Sequence, residues 1–275
     1  MKAERELVFV KLGGSVITAK TQPETARPEV INRLAEEIAL ALAARPGLRL
    51  VLGHGSGSFG HPVAQRYGTH LGVHSPADWR GFAEVAAVAA RLNRLVADAL
   101  LSAGVPAWSM QPSASARCRD GELLTLETSP IDEALSHGLT PLVYGDAVLD
   151  EARGGTIVST EQIFAYLARR LRPERLIMVG EVDGVFESDP VRDPAARPIP
   201  EITKHNWAQV RASLGGSHAT DVTGGMLAKV EAMVALAREL PGLTVHLLSG
   251  LRPGALESAL SRPAAGAGGT VIHSV

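Results

Sequence analysis

Short strand-like runs alternate with longer helix-like stretches along almost the whole chain. The runs are rich in Val, Ile and Leu, whereas the stretches between them place apolar residues three and four positions apart. When helices connect successive strands, the strands become parallel and the helices cover both faces of the sheet. The sequence therefore predicts an α/β fold with a mainly parallel sheet, and ligands are expected beyond the carboxyl ends of its strands.

The alternation of strand-like and helix-like stretches predicts the bounds and the order of these elements. The predicted strands are Leu7–Leu12, Arg49–Gly53, Val105–Met110, Pro141–Tyr144, Thr156–Val158, Arg175–Val179, Thr244–Leu248 and Gly269–His273. The predicted helices are Glu29–Ala44, Asp78–Ser102, Glu161–Leu171, Thr223–Leu240 and Pro253–Leu260. The segment Ala116–Leu126 is typical of a hairpin that turns at Asp120 and Gly121.

Composition argues against several classes of function. The 275 residues carry a formal net charge of −2, so a nucleic acid is not expected as a partner. The most apolar long stretch, Phe82–Leu101, contains four charged residues, which excludes a plain membrane span. The single cysteine, Cys118, fits a reducing compartment, and Met1–Val10 does not resemble a signal peptide. We therefore expect a cytoplasmic protein without a membrane partner.

The first predicted strand runs into Lys11–Ser15, which contains two adjacent glycines and a serine. Gly13 and Gly14 let the backbone approach a ligand closely and direct N–H groups at an anion. Lys11 lies at the end of the strand, where its ammonium group can reach the same anion. Only five of the 27 basic residues are lysines, which favours a specific use of each. A tight turn with a surface lysine is the alternative.

The second predicted strand ends in Gly53–Pro62, which has four glycines in eight residues. This density indicates an anion-binding loop that opens a helix. A P-loop is excluded because no Lys follows the glycines, and the dinucleotide fingerprint lacks the acidic second strand that should follow. His61 comes directly after the loop and can donate to a phosphate oxygen, unless it only caps the helix. His54 is the weaker candidate because it can lie on the far side of the strand.

Two carboxylates follow later strands at the expected ligand side of the sheet. Asp146 comes after the fourth predicted strand, and Glu161 comes after the fifth. Either group can orient lysines or metal ions around phosphates, although a turn at Asp146 and a first-turn helix charge at Glu161 would also explain them. No His, Cys or carboxylate group has the spacing of a metal cage, so Mg²⁺ is expected to arrive with nucleotide phosphates.

Two further loops lie in the C-terminal part of the chain. Gly180–Pro190 follows a strand, and its apolar residues could cover a purine. Thr220–Lys229 is a glycine-rich loop that enters a helix, so its N–H groups can bind phosphate oxygens. Lys229 near a helix start is unfavourable beside the positive end of the helix dipole. A bound polyphosphate would remove this cost.

Together these blocks resemble the amino acid kinase family over nearly the whole chain. The resemblance is carried by Lys11–Ser15, the second glycine-rich loop, Val182–Phe186 with Asp189 and Pro190, and Thr223–Met226 with Lys229. It implies a three-layer αβα sandwich that forms a single domain over 1–275. An acceptor-binding lobe would span about 1–172 and an ATP-binding lobe about 173–275. A homodimer is expected, because members are commonly homodimers or larger.

Within the family, Gly57–Pro62 together with Val16–Lys20 is similar to the members that phosphorylate isopentenyl phosphate with ATP, in the alternative mevalonate route of isoprenoid biosynthesis. The resemblance implies that the catalytic residues are Lys11, Lys20, His61 and Lys229. The implied acceptor-binding residues are Gly55, Ser56, Gly60, His61 and Gly155. The implied nucleotide-binding residues are Lys11, Gly13, Gly14, Ser15, Asp183, Gly184, Phe186, Asp189, Gly224, Gly225 and Lys229. Asp146 and Glu161 would be the organising carboxylates.

Two alternatives remain open at this point. Fosfomycin kinases of the family share the histidine, so fosfomycin or another small phosphonate or phosphate could be the acceptor. A non-catalytic nucleotide-binding protein could use the same fold, although the joint presence of the four candidate catalytic residues disfavours it. The chain also has Ser159–Glu161 where many members have Ser-Gly-Asp. An isoprenoid tail would need an apolar wall, for which we expect the helix that carries Phe82, Val85, Ala86, Ala89 and Leu92.

Overall fold

The computed structural model describes residues 6–190, 193, 195–215, 225–261 and 268–273. Its strands are β1 (Leu7–Leu12), β2 (Arg49–His54), β3 (Ala107–Ser109), β4 (Arg117–Arg119), β5 (Glu122–Thr125), β6 (Thr140–Tyr144), β7 (Asp146–Asp150), β8 (Gly154–Val158), β9 (Arg175–Gly180), β10 (Val185–Phe186), β11 (Pro198–Ile199), β12 (Glu201–Ile202), β13 (Thr244–Ser249) and β14 (Thr270–Ile272). Its helices are α1 (Gly14–Ile17), α2 (Pro28–Ala44), α3 (Gly57–Tyr67), α4 (Pro76–Ser102), α5 (Ser129–Ser136), α6 (Thr160–Leu171), α7 (Trp207–Gly215), α8 (Gly225–Glu239) and α9 (Ala255–Ser261).

Eight of the described strands form one sheet in the order β12–β14–β13–β9–β1–β2–β6–β3. Neighbouring strands from β13 to β3 run parallel, whereas β14 is antiparallel to β13. Every residue of the central strand β1 is buried. Such a sheet is covered on both faces, which explains why its inner strands are almost continuous apolar runs. The predicted α/β class with a mainly parallel sheet is confirmed.

The two faces of β1 belong to two different hydrophobic cores. Val8, Val10 and Leu12 pack in one core with residues of α2, α3, α4 and α9. Leu7 and Phe9 pack in the other core with residues of α5, α6, α7 and α8. Because alternate residues of a strand point to opposite faces, the sheet lies between two layers of helices. This is the αβα sandwich that the resemblance implies.

A second, four-stranded sheet corrects one expectation. The alternation predicts that Thr156–Val158 belongs to the main parallel sheet, but this segment is part of β8, which pairs antiparallel with β7. The second sheet has the order β5–β4–β7–β8 and contains the predicted hairpin as β4 and β5. Gly145 alone separates β6 from β7. Since a parallel crossover needs about a dozen residues, the chain leaves the main sheet at this point.

The apolar stretch Phe82–Leu101 lies within α4, which is 27 residues long. Val85 and Leu92 are buried in the core, whereas Arg91 and Asp98 are exposed. This division is that of an amphipathic helix with one face on the sheet and the other in solvent. Within the described ranges, no helix has both the length and the apolar character that a membrane span requires.

Glu37 on α2 connects two segments that are far apart in the sequence. Its buried carboxylate accepts hydrogen bonds from the backbone amides of Gly254, Leu256 and Glu257, at 3.0, 3.0 and 3.2 Å. These amides lie at the start of α9, where they have no acceptor within the helix. Arg33, one turn earlier on α2, donates to Glu37 at 2.5 Å. The carboxylate therefore fixes α9 against α2.

We predict that Glu37→Ala lowers the free energy of unfolding by about 2–3 kcal/mol, because three backbone amides lose their acceptor in a buried position. Urea denaturation followed by circular dichroism measures this loss. Glu36→Ala is the matched control, since the neighbouring side chain is exposed, and it should change the free energy by less than about 0.5 kcal/mol. Equal losses in the two variants would contradict the capping role of Glu37.

Candidate active site

The two glycine-rich loops touch each other at the carboxyl ends of β1 and β2. A Cβ atom added to Gly14 would lie 2.4 Å from the backbone nitrogen of Gly57, so the two loops leave no space for a side chain between them. Gly57 also has a φ of 49°, which glycine adopts at little cost. The hydroxyl of Thr18 donates to the carbonyl of Gly14 at 2.7 Å and accepts from the amide of Ser58 at 2.9 Å. The loops therefore form one joined backbone surface.

Lys11 and Glu161 form a buried ion pair beside this surface. The ammonium of Lys11, near the end of β1, donates to the carboxylate of Glu161 at 2.5 Å. Glu161 lies in the first turn of α6, whose start is capped reciprocally by Ser159 and Gln162. Burial alone would raise the pKa of Glu161, but the charge and hydrogen bond of Lys11 hold that pKa below its ordinary value. Glu161 is therefore ionised at neutral pH.

The charge of Lys229, from the other half of the chain, acts on the same carboxylate. Lys229 lies in the first turns of α8, and its positive charge also lowers the pKa of Glu161. Lys11 and Lys229 thus share one anionic neighbour, although 218 positions separate them in the sequence (229 − 11). Gly225 begins α8, whereas the predicted nucleotide-binding residue Gly224 lies outside the described residues.

Lys20 contacts the loop that follows β9. Its ammonium forms an ion pair with the carboxylate of Glu181, and 65% of the Lys20 side chain is exposed. Glu181 comes directly after β9, whose neighbour in the sheet is β1. Lys20 is therefore held at the carboxyl edge of the sheet, but by a different carboxylate from the one that holds Lys11.

The loop after β2 corrects part of the expected acceptor site. The amide of Gly55 donates to the carbonyl of Leu12 at 3.0 Å, so this N–H is not available to a ligand. The amides of Phe59 and Gly60 donate to the carbonyl of Ser56, at 3.0 and 3.3 Å. No hydrogen bond joins the amide of Ser56 to another described residue. Of the predicted acceptor-binding backbone in this loop, the Ser56 amide is the one that remains for an anion.

His61 lies one turn into α3 with an exposed side chain. Its helix starts at the joined glycine loops, so the imidazole is near the Ser56 amide along the chain. Gly60, which precedes it, has a structural reason for being glycine: an added Cβ would lie 2.5 Å from the hydroxyl oxygen of Ser56. Binding of an anion by His61 and the Ser56 amide stays a prediction.

Gly155 lies on β8 and packs against α4. An added Cβ would come within 2.9 Å of both the ring of Phe82 and the side chain of Val73. Phe82 and Ala86 are partly exposed on this side of α4. The other expected wall residues, Val85, Ala89 and Leu92, are 3%, 2% and 0% exposed and belong to the protein interior. The apolar wall is therefore narrower than the sequence predicts.

Asp146 does not contact a lysine in any described hydrogen bond or ion pair. It is fully buried at the start of β7 and accepts from the backbone amides of Ser113 and Ala147, at 3.1 and 2.9 Å. Burial raises the pKa of Asp146, and the two hydrogen bonds oppose that rise. Its contacts hold the turn at Pro112–Ala114 in place. Within the described ranges, no three His, Cys, Asp or Glu residues come together in a way that could hold a metal ion.

The predicted nucleotide-binding residues of the first loop differ in what they offer a ligand. The amide of Gly13 donates to the carbonyl of Val179 at 2.8 Å, so this N–H is not available to a nucleotide, and any other nucleotide contact of Gly13 stays a prediction. An added Cβ on Gly13 would lie 2.6 Å from the same carbonyl oxygen. Gly14 and Ser15 form the start of α1 and are partly exposed. Their amides are at the ligand side of the sheet.

The loop after β9 is held by its own polar groups. The carboxylate of Asp183 accepts from the amide of Ser249 at 3.0 Å and pairs with Arg252 at 3.4 Å. Gly184 packs on Thr270, whose hydroxyl lies 2.5 Å from the position of an added Cβ. Asp183 therefore joins this loop to the end of β13. Phe186 and Asp189 lie further along the same loop and are partly exposed, and their nucleotide contacts stay predictions.

Two polar residues of the site were not predicted from the sequence, and a third, His54, was only the weaker candidate. Thr18 joins the glycine loops, Glu181 pairs with Lys20, and His54 is buried beneath the second loop. Glu181 carries the same signal as Asp146 and Glu161, because it is an acidic residue directly after a strand. Thr18 has no comparable signal, since its role depends on a contact between two loops.

The comparisons with known proteins agree with this arrangement. The chain matches the model of the amino acid kinase family over residues 6–249. It is 38% identical to the isopentenyl phosphate kinase of Methanothermobacter thermautotrophicus over 92% of this chain and 95% of the relative, and 39% identical to that of Haloferax volcanii over 84% and 88%. A solved isopentenyl phosphate kinase superposes with a TM-score of 0.80 at 34% identity, covering 97% of this chain and 99% of the other. The chain belongs to the amino acid kinase family.

Proposed function

We propose that the protein transfers the γ-phosphoryl group of ATP to isopentenyl phosphate and forms isopentenyl diphosphate, a precursor of isoprenoids. The relatives with this activity in their names match almost the full length of the chain. The fold and the retained cations of the site are those that phosphoryl transfer to a charged acceptor requires.

The observation that carries the proposal is that Lys11 donates to Glu161 and that the charge of Lys229 acts on the same carboxylate. Phosphoryl transfer brings an ATP polyphosphate and an acceptor phosphate together, so negative charge must be neutralised at the point of transfer. Two ammonium groups from the two halves of the chain can do this if they already face one position. Glu161 holds Lys11 there before the substrates bind and attracts Lys229, which reduces the reorganisation that the reaction needs.

The reaction requires no general base in this site. An oxygen of isopentenyl phosphate is already negatively charged and attacks the γ-phosphorus directly. The new oxygen–phosphorus bond forms as the bond between the γ-phosphorus and the bridging oxygen breaks, and ADP leaves with that electron pair. Alignment and charge neutralisation are then the main sources of the rate enhancement.

Each group has a distinct role in the proposal. His61 and the Ser56 amide bind the phosphate of the acceptor, and Phe82 with Ala86 faces its isoprenoid tail. Lys11 and Lys229 neutralise the transferring phosphoryl group. Lys20 exchanges its partner Glu181 for the γ-phosphate when ATP binds.

The charged groups of the site suit phosphates, and Mg²⁺ would enter with ATP. The ion prefers oxygen ligands and keeps several waters, so phosphate oxygens can hold it without a cage of protein side chains. When bound, Mg²⁺ neutralises part of the charge on the β- and γ-phosphates. Glu161 is already paired with Lys11, which leaves it as an organiser of cations in this proposal.

The proposed acceptor-binding and nucleotide-binding groups lie in two parts of one domain. Residues from about 1 to 172 carry the proposed acceptor groups, and residues from about 173 to 275 carry most of the proposed nucleotide groups. The main sheet is continuous across this boundary, because β1 pairs with β9. Homodimer formation and a cytoplasmic location stay predictions, from the resemblance and from the single cysteine.

We predict that isopentenyl phosphate gives the highest kcat/KM in an ADP-release assay with ATP, Mg²⁺ and a panel of acceptors that includes fosfomycin.

His61→Ala should lower kcat/KM for isopentenyl phosphate about 100-fold or more, because the acceptor phosphate loses a donor in the transition state.

His137→Ala is the matched control for His61→Ala. His137 is also exposed, but it precedes β6 and therefore lies at the opposite edge of the parallel sheet. Its removal should leave turnover within about twofold of the wild type. No ADP release with isopentenyl phosphate, or a preference for fosfomycin, would reject the proposed function. An unchanged rate in His61→Ala would reject only the role of that residue.

We predict that Lys229→Ala lowers kcat/KM for ATP about 100-fold, because one of the two cations at the transferring group is lost. KM for isopentenyl phosphate should stay within about threefold of the wild type, since the acceptor groups are on other elements. Lys204→Ala removes an exposed lysine of the same half of the chain and is the control. A change confined to KM for the acceptor would contradict the assignment of Lys229 to ATP.

A further inference from the structure

His54, the last residue of β2, is a buried histidine beneath the second glycine loop. Its side chain has no exposed surface. Its ring stacks on Tyr144 of the neighbouring strand β6, with centroids 5.6 Å apart and an angle of 7° between the rings. The ring nitrogen Nδ1 lies 3.2 Å from the carbonyl oxygen of Gly55. None of the roles proposed above uses this side chain.

The contact with Gly55 determines the direction of the next amide. A carbonyl oxygen only accepts hydrogen bonds, so this contact is a hydrogen bond when Nδ1 carries the ring proton. The peptide between Gly55 and Ser56 is trans, as are the other described peptide bonds. In a planar trans peptide the C=O and N–H bonds point in opposite directions. Because the Gly55 carbonyl points to the buried ring, the Ser56 N–H points away from it.

The peptide planes on either side of Gly55 are also held. The amide of Gly55 donates to the carbonyl of Leu12 at 3.0 Å, and the hydroxyl of Thr160 donates to the carbonyl of His54 at 2.6 Å. These bonds attach the loop to β1 and α6. They do not involve the Gly55 carbonyl, which the imidazole contacts.

Asn93 on α4 is the partner of the second ring nitrogen. Its side-chain oxygen Oδ1 lies 3.2 Å from Nε2, and its NH₂ group donates to the hydroxyl of Ser109. Burial lowers the pKa of His54 to about 4, helped by the charge of Lys11 and opposed by the hydrogen bonds to Gly55 and Asn93. The ring is then neutral at pH 7 and can donate from only one nitrogen, although each of its nitrogens faces an oxygen acceptor.

We propose that His54 is a positioning residue for the acceptor phosphate. As a neutral donor through Nδ1, it holds the Gly55 carbonyl inward and thereby directs the Ser56 amide to the acceptor phosphate. The chain of contacts runs from Ser109 through Asn93 and His54 to Gly55. This inference rests on the proposed function, because it assigns the Ser56 amide to binding of the acceptor.

Two substitutions of His54 separate positioning from simple packing. The side-chain nitrogen of Asn is three bonds from Cα, as Nδ1 of His is, whereas that of Gln is four bonds away, as Nε2 is. His54→Asn should keep KM for isopentenyl phosphate within about threefold of the wild type, and His54→Gln should raise it about tenfold or more. KM for ATP should stay within about twofold in both variants.

His246→Gln is the matched control for these variants. His246 is also a buried histidine, and its Nε2 lies 2.6 Å from the carbonyl oxygen of Gly268. It belongs to β13, however, and not to β2. Its substitution should leave KM for isopentenyl phosphate unchanged. Equal effects of His54→Asn and His54→Gln on that KM, or a loss of thermal stability with no change in KM, would overturn the positioning role.

A second measurement on the wild-type protein does not depend on turnover or on the folding of variants. Nitrogen-15 NMR of labelled histidine should find His54 neutral and protonated on Nδ1 from about pH 6 to pH 8. A ring protonated on Nε2, or a charged ring, would overturn the inference. If isopentenyl phosphate is not phosphorylated, the proposed function fails, and the NMR result still reports on His54 separately.

Discussion

Lys11 is an ammonium group in the protein interior, with 8% of its surface exposed. An unpaired buried charge costs several kcal/mol, so the position of Lys11 depends on a compensating carboxylate. Glu161 supplies it from the first turn of α6, where the helix dipole also favours a negative charge. The charge of Lys229 also acts on this carboxylate, so one residue interacts with cations from both halves of the chain. A phosphoryl group that enters between them would meet charges that are already in place.

The parallel sheet explains why the backbone part of the site lies beside this ion pair. Leu12 of β1 is opposite His54 of β2, so the two glycine loops leave the sheet at the same level. They can touch because Gly14 and Gly57 have no side chains, and Thr18 then joins them. Sheet register, loop contact and amide direction thus follow from one another. A side chain at either glycine would disturb all three.

Local sequence patterns predict structural features that depend on neighbouring residues and miss those that depend on residues far apart in the sequence. The bounds of β1 are predicted as observed, because an apolar run ends at a pair of glycines. The second sheet is missed, since the pairing of β8 with β7 is not encoded in strand periodicity. The glycine content likewise indicated that the backbone can approach a ligand closely, but not which amides are available to that ligand. The amides of Gly13 and Gly55 are not, because they donate to backbone carbonyls. Lys11 and Glu161 were both predicted, but their pairing required the fold.

In the proposed reaction, cations from both halves of the chain meet one transferring group. A crystal structure with isopentenyl phosphate and a non-hydrolysable ATP analogue would show whether they do. We expect the Lys11 and Lys229 ammonium groups at about 3 Å from γ-phosphate oxygens, with His61 and the Ser56 amide on the acceptor phosphate. Either lysine bound elsewhere, or the acceptor phosphate away from His61, would rule out the proposed arrangement.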